Sequence, residues 1–262
     1  MSVNIAIAGP RGRMGSEAIK MVLNEATFNL VGCIDRKPSH ISILVENNIP
    51  VFQHVEECFY SSDVDVLIDL TVAEASYDHI MMALQRNIRC VVGTTGFTNN
   101  QLQEIKKIAK QKNTGIIIAP NFAIGAILMM HFSKIAAKYF PDVEIIEKHH
   151  DEKIDAPSGT AVKTAEMIKT IRESKQQGHP DEIEVLEGAR GAVEDGIHIH
   201  SLRLPGLVAH QEVIFGGEGQ TLIIKHDSMN RKSFMEGIKY SVNQVLTIDH
   251  LVYGLENVLD LD

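Results

Sequence analysis

Short apolar runs alternate with helix-patterned stretches through the first half of the chain: VNIAIA, LVGCID, VDVLIDL, IRCVVG and GIIIAP, with helices expected through about Glu25, from about Ala73 to Arg86, and again before GIIIAP. This rhythm predicts βαβ units around a parallel sheet. The runs are continuously apolar, as strands must be when helices cover both faces of their sheet; a sandwich would alternate apolar with polar residues. The expected class is α/β, a doubly wound parallel sheet.

Beyond Asn121 the pattern changes. A Met- and Ile-rich helix is expected from about Ile124 to Lys138, PDVEIIEKHH reads as a strand, and a helix follows from about Gly159 to Ile171. After the polar loop ESKQQGHPDE, the segments GIHIHSLRL, AHQEVIFGG and QTLIIKHD are strand-like with no helix between them. They predict a second, α+β domain carrying a mixed or antiparallel sheet. A last helix near Arg231 to Leu246 and a short tail return to the first domain. The expected division is residues 1–122, completed by about 231–262, against 123–230.

Composition narrows the function classes. With 25 basic and 34 acidic residues the net charge is −9, which argues against nonspecific binding of nucleic acid. No apolar run is long enough to span a bilayer, and the opening residues lack a secretory leader, so a cytoplasmic protein without membrane contact is expected. Cys33, Cys58 and Cys90 are odd in number and far apart, the pattern of reduced core thiols.

The first strand runs into GPRGRMG, whose Gly9, Gly12 and Gly15 permit a tight turn and leave the amides of a helix N-terminus facing a pyrophosphate. The spacing GxxGxxG is weak evidence by itself, since a glycine-rich turn can exist without a ligand. Asp35 strengthens it. An acid about twenty residues on, at the end of the second strand, is where dinucleotide folds hold the adenine ribose. Arg36 and Lys37 follow at once, and a guanidinium there suits a 2′-phosphate that Asp35 would repel. Together these signals read as tolerance of both NADH and NADPH in a Rossmann-like domain. GTTG at Gly93 to Gly96 and APNF at Ala119 to Phe122 follow strands at the same ligand-binding edge.

The stretch HHDEKIDAPSGT, His149 to Thr160, concentrates the remaining chemistry. Strand alternation sends His149 and His150 to opposite faces, which argues against a metal site, as does the absence of a zincin spacing or a Cys pair. Ser158 is a plausible N-cap without the Glu or Gln of a capping box, and the amides of Gly159 and Thr160 suit an anion at the helix start. With Lys153 and His150 they form an expected anion pocket, beside which a histidine can donate a proton.

EIIEKHHDEKIDAPSGTA closely resembles the signature of the dihydrodipicolinate reductase (4-hydroxy-tetrahydrodipicolinate reductase) family. AGPRGRMG, VGTTGF, APNFAIG, LRLPGLVAHQEVIFGG and IKHDSMNRKSFMEG resemble its other segments, so nearly the whole chain is covered. The resemblance implies reduction of a cyclic hydroxy diacid to tetrahydrodipicolinate with NADH or NADPH in lysine and diaminopimelate biosynthesis. It implies that His149 and Lys153 are catalytic, transferring protons, and that His150, Ser158, Gly159 and Thr160 bind the cyclic dicarboxylate substrate. The cofactor positions it implies are Gly9, Pro10, Arg11, Gly12, Arg13, Met14, Asp35, Arg36, Gly93, Thr94, Thr95, Ala119, Pro120, Asn121 and Phe122. It also implies a homotetramer assembled through the second domain's sheet. Two other readings share the nucleotide signals: a different two-domain NAD(P) oxidoreductase, and a redox sensor that holds NAD(P)H without turnover.

Overall fold

The computed structural model describes residues 2–37 and 41–261. Its contacts divide the chain into two compact units, Met1–Ala123 with Arg231–Asp262, and Ile124–Asn230. In chain order the first unit contains β1 (Val3–Ala8), α1 (Arg13–Asn24), β2 (Phe28–Ile34), α2 (Ser42–Glu46), β3 (Val51–Phe52), α3 (Val55–Ser61), β4 (Val66–Asp69), α4 (Ala73–Gln85), β5 (Arg89–Val92), α5 (Asn99–Lys112) and β6 (Ile116–Ile118). The second contains α6 (Ile124–Ala136), β7 (Asp142–His149), α7 (Gly159–Lys169), β8 (Ala192–Glu194), β9 (Ile197–Arg203), β10 (Ala209–Gly217) and β11 (Gln220–Ser228). The chain then re-enters the first unit through a 3-10 turn at Arg231–Phe234, α8 (Met235–Val245) and β12 (Leu251–Tyr253).

Seven strands of the first unit form one sheet in the order β12-β6-β5-β4-β1-β2-β3, all pairs parallel. This is the doubly wound arrangement that the continuous apolar runs predicted. Ala6, Leu67, Cys90 and Ile116 pack with Cys58, Ile80, Leu84 and Ile105 of α3, α4 and α5 in one core. On α8, Met235, Ile238, Val242 and Val245 are buried, as are Ala18, Ile19 and Val22 on α1. The expected tail is itself structured: β12 extends the sheet beside β6. All three cysteines are free and buried, and burial pushes the Cys33 and Cys58 thiols up to about 12.

Local chemistry fixes the helix ends. In α5, Thr98 Oγ1 accepts from Gln101 N at 3.2 Å while Gln101 Oε1 accepts from Thr98 N at 2.9 Å, a complete capping box. At the β1–α1 turn, Gly9 adopts φ +83°, and a Cβ there would lie 2.9 Å from the Leu70 carbonyl oxygen. A Cβ on Gly15 would lie 2.1 Å from the Gly9 carbonyl oxygen, so a side chain at either position would force the turn apart.

The second unit carries a five-stranded mixed sheet, β11-β10-β7-β9-β8, antiparallel except for the parallel pair β7–β9. On β7, Val143, Ile145 and Glu147 are buried while Glu144, Ile146 and Lys148 face the other way, half-buried. α6 packs against α7 and β11, and α7 against β7; the buried stripe of α7 is Ala161, Thr164, Ala165 and Ile168. Both sheets match the expected fold class.

The close approach at Gly15 makes a testable contrast with Gly159, where an added Cβ meets nothing within 4 Å. Gly15→Ala is expected to cost about 1–3 kcal/mol in urea unfolding, the scale of overpacking. Gly159→Ala is expected to stay within about 0.5 kcal/mol. Equal losses would contradict the assigned crowding.

Candidate active site

In the first unit the chain leaves β1 through a turn in which Gly9 N donates to Ile34 O and Gly12 N to Gly9 O, each at 3.1 Å. α1 then begins at Arg13, with Gly12 at the N-cap position and no side chain capping the helix. A cavity of about 300 Å³ opens there between the carboxyl ends of β1, β2 and β4, where the strand order reverses. That reversal is the ligand crevice of open α/β sheets. Gly9, Arg11, Gly12, Asp35 and Arg36 line it; of the residues expected from sequence, Pro10, Arg13 and Met14 do not.

Asp35 is 7% exposed and engaged. Arg11 grips it as a fork: its Nε donates to Oδ2, and its Nη2 donates to Oδ1 at 2.6 Å. Lys37 N adds a donor at 3.0 Å. The Arg11 hydrogen bonds hold the Asp35 carboxyl below the usual carboxylate range despite burial. Sequence reasoning opposed Asp35 to Arg36; the cation in contact with Asp35 is Arg11, brought back to the end of β2 by the glycine turn.

The opposite wall comes from Leu70, Thr71, Val72, Ala75 and His79, none of them expected from sequence. Asp69, fully buried at the end of β4, organises it: Oδ1 accepts from Thr71 N at 2.9 Å and from its hydroxyl at 2.5 Å, and Oδ2 lies 2.7 Å from His79 Nδ1. The only signal in the sequence was an acid ending an apolar run. Gly93, Thr94 and Thr95 follow β5, and Ala119, Pro120, Asn121 and Phe122 follow β6, outside the cavity lining. Thr94 Oγ1 ties its loop to Thr71 O at 3.1 Å, and Asn121 Oδ1 accepts from Ala123 N at 2.8 Å. These features fit a dinucleotide: a glycine turn with no room for a Cβ, an uncapped helix start, and a buried acid on the same cavity.

In the second unit the chemistry gathers around Glu147, a residue sequence reasoning did not single out. It is fully buried on β7. Oε2 lies 2.6 Å from His149 Nδ1 and accepts from Arg203 Nη1 at 2.8 Å; Oε1 accepts from Arg203 Nη2 at 2.7 Å and from Ser158 N at 3.1 Å. Burial alone would raise this carboxyl, but the bonds from His149, Arg203 and Ser201 outweigh it and bring it down to about 2. His149 shares the face of Glu147 because they stand two residues apart on a strand; its side chain is 15% exposed.

His150 lies just past the end of β7 with its Nδ1 buried and without a hydrogen-bond partner among the described residues. Lys153 sits in the following turn, its N donating to His150 O at 3.2 Å and its Nζ to Asp155 Oδ1 at 2.6 Å. Ser158 caps α7, its Oγ accepting from Ala161 N at 3.2 Å. Ser158 is thus the N-cap that the sequence offered, serving the third amide of the helix without a capping box. Gly159 and Thr160 form the first turn beyond it. Arg203 also donates to the Asp155 carbonyl at 2.7 Å, binding this loop to β9. His149 and Ser158 thus meet directly on Glu147. Among the described residues no group of three or more His, Cys, Asp or Glu could hold a metal ion, and no helix is long and apolar enough to cross a membrane.

Comparison with known proteins addresses both units. Residues 3–122 match the family model described as "Dihydrodipicolinate reductase, N-terminus", and residues 125–259 the one described as "Dihydrodipicolinate reductase, C-terminus". A 4-hydroxy-tetrahydrodipicolinate reductase of Oceanobacillus iheyensis is 59% identical over 99% of this chain and 100% of its own length. One from Bacillus cereus is 56% identical over 98% and 99%. The solved structure of a dipicolinate-bound dihydrodipicolinate reductase from Paenisporosarcina sp. TG-14 superposes with a TM-score of 0.90 at 54% identity, covering 99% of this chain and 100% of that one. An amine dehydrogenase of Mycobacterium smegmatis, with a TM-score of 0.69 at 12% identity over 100% of this chain and 97% of its own, shares the fold alone. The chain therefore belongs to the dihydrodipicolinate reductase family, pyridine-nucleotide-dependent oxidoreductases of lysine and diaminopimelate biosynthesis.

Proposed function

We propose that this chain reduces 4-hydroxy-tetrahydrodipicolinate to tetrahydrodipicolinate with either NADH or NADPH, with His149 and Lys153 carrying the proton transfer. The observation that carries the reading is the Glu147-held His149 beside the capped start of α7, within the segment that resembles the family's signature. The relative bound to dipicolinate, a planar ring with two carboxylates, supports a cyclic dicarboxylate as the substrate class.

In this reading the second unit binds substrate. The amides of Gly159 and Thr160 and the Ser158 cap meet one carboxylate at the positive end of α7. His150 and Lys153 add donors to it, and the buried unpartnered Nδ1 of His150 suits a polar ligand. Loss of water from the hydroxy diacid leaves a conjugated imine. A reduced nicotinamide, when bound, would supply a hydride to ring carbon C4. His149 delivers a proton to the neighbouring ring carbon that is α to the imine carbon, where the electron pair of the resulting enamine is nucleophilic, and the imine re-forms. Lys153 keeps the site positive and serves as the second proton-transfer group.

The first unit binds the nucleotide. Gly9, Pro10, Arg11, Gly12, Arg13 and Met14 receive the pyrophosphate side, and Asp35 accepts from the adenine ribose. Arg11 and Arg36 meet a 2′-phosphate when one is present. Gly93, Thr94, Thr95, Ala119, Pro120, Asn121 and Phe122 serve the nicotinamide end. The second unit's sheet also supports the homotetramer: its face away from α6 and α7 carries Ile146, Ile214 and the 55% exposed Ile223. The location in this reading is the cytoplasm.

Oxidation of NADH and NADPH is expected to depend on the condensation product of pyruvate and aspartate semialdehyde; its absence with both cofactors sinks the reading. His149→Gln and Lys153→Ala are each expected to slow turnover about a hundredfold or more, the scale of a positioned proton donor. Unchanged kcat in either variant removes that residue's role. Asp35→Ala is expected to raise KM for NADH more than for NADPH, because only the unphosphorylated ribose offers a 2′-hydroxyl to the carboxylate. Equal rises contradict the Asp35 assignment.

A further inference from the structure

Resting on the reading of His149 as the proton-transfer group, we infer that Glu147 is its positioning residue: it holds the imidazole with the proton on Nδ1, leaving Nε2 to exchange a proton with substrate.

An ionised carboxylate accepts only, with about four lone-pair sites. Glu147 is met on both oxygens, Oε1 by Ser158 N and Arg203 Nη2 and Oε2 by His149 Nδ1 and Arg203 Nη1, and the Ser201 side chain adds a further hydrogen bond. The Arg203 fork makes ionisation sustainable in a position with no exposure to water. Since the carboxylate has no proton to give, the His149–Glu147 bond of 2.6 Å requires the proton on Nδ1. One ring nitrogen is thereby committed, and the other is the only one left to work.

Opposite Glu147 stand Gln211 on β10, whose Nε2 donates to Thr164 Oγ1 at 2.8 Å, and Ser201 on β9. Asp155, from the 151–157 loop, gives its carbonyl to Arg203 and its carboxylate to Lys153. Among the described residues, the titratable groups bonded to Glu147 are His149 on its own strand and Arg203 from β9.

A purely structural staple would join the same three elements, β7, β9 and the start of α7, so the test must read the imidazole itself. Histidine long-range 15N–1H correlation spectra, with His149 assigned by its loss in His149→Gln, are expected to show Nδ1–H in the parent's neutral ring. In Glu147→Gln the amide can donate to Nδ1, and the spectrum is expected to move toward Nε2–H. The same variant is expected to lose about tenfold to a hundredfold in kcat. The alkaline limb of its rate profile should move about one unit or more to lower pH, because a negative charge is lost and Arg203 is left unpaired. Its Kd for dipicolinate should change far less than kcat. Glu147→Asp, which keeps the charge, should recover part of the kcat and return the alkaline limb toward the parent's, and it serves in place of Glu147→Gln if that variant does not fold. Nε2–H in the parent, or a kcat loss accompanied by an unmoved alkaline limb, overturns the inference. Because the tautomer is read without turnover, a parent that fails to reduce the substrate sinks the proposed reaction and leaves the Glu147 result standing on its own.

Discussion

A carboxylate with no access to water is costly unless every lone pair is met, and Glu147 is met by three different parts of the second unit. Arg203 brings the end of β9, Ser158 brings the start of α7, and His149 lies on the same strand. Arg203 continues to the Asp155 carbonyl, so the loop bearing Lys153 is tied to the same charge. His149, the start of α7 and the loop bearing Lys153 are thus referenced to one buried group. Loss of that group leaves a guanidinium without its partner as well as an imidazole without orientation.

The first unit uses the same device. Asp69 ends β4 fully buried and fixes Thr71 and His79, which line the crevice at the reversal of strand order. Asp35 ends β2 and is gripped by Arg11. In each case a parallel strand delivers an acid to its carboxyl end, and the acid organises the loop that follows. The sheet supplies the position; the carboxylate converts it into a defined wall.

The fold was largely legible because the strands of the first unit are continuously apolar and those of the second are not. The weak elements escaped: β3, β8 and β12 are two or three residues long, too short for periodicity, and exist through their neighbours. At the site, His149, Lys153 and the Ser158–Thr160 turn were legible because they are adjacent in sequence. Arg203 was not, since it stands 56 residues from Glu147 and meets it through the parallel pairing of β7 and β9. Glu147 itself read as one more polar residue in a half-buried strand. Its alternation with Val143 and Ile145 put it on the core face, and a charged residue at a core position was the signal available. Arg11 was visible in the glycine loop, but only the turn's geometry shows that it reaches Asp35.

Neutron diffraction from deuterium-exchanged crystals would test the central claim most directly, because it locates the proton between His149 and Glu147. The positioning role assigned to Glu147 predicts a deuteron on His149 Nδ1 pointing at Glu147 Oε2, and none on the carboxylate. A deuteron on Glu147, or an Nδ1 without one, would contradict it.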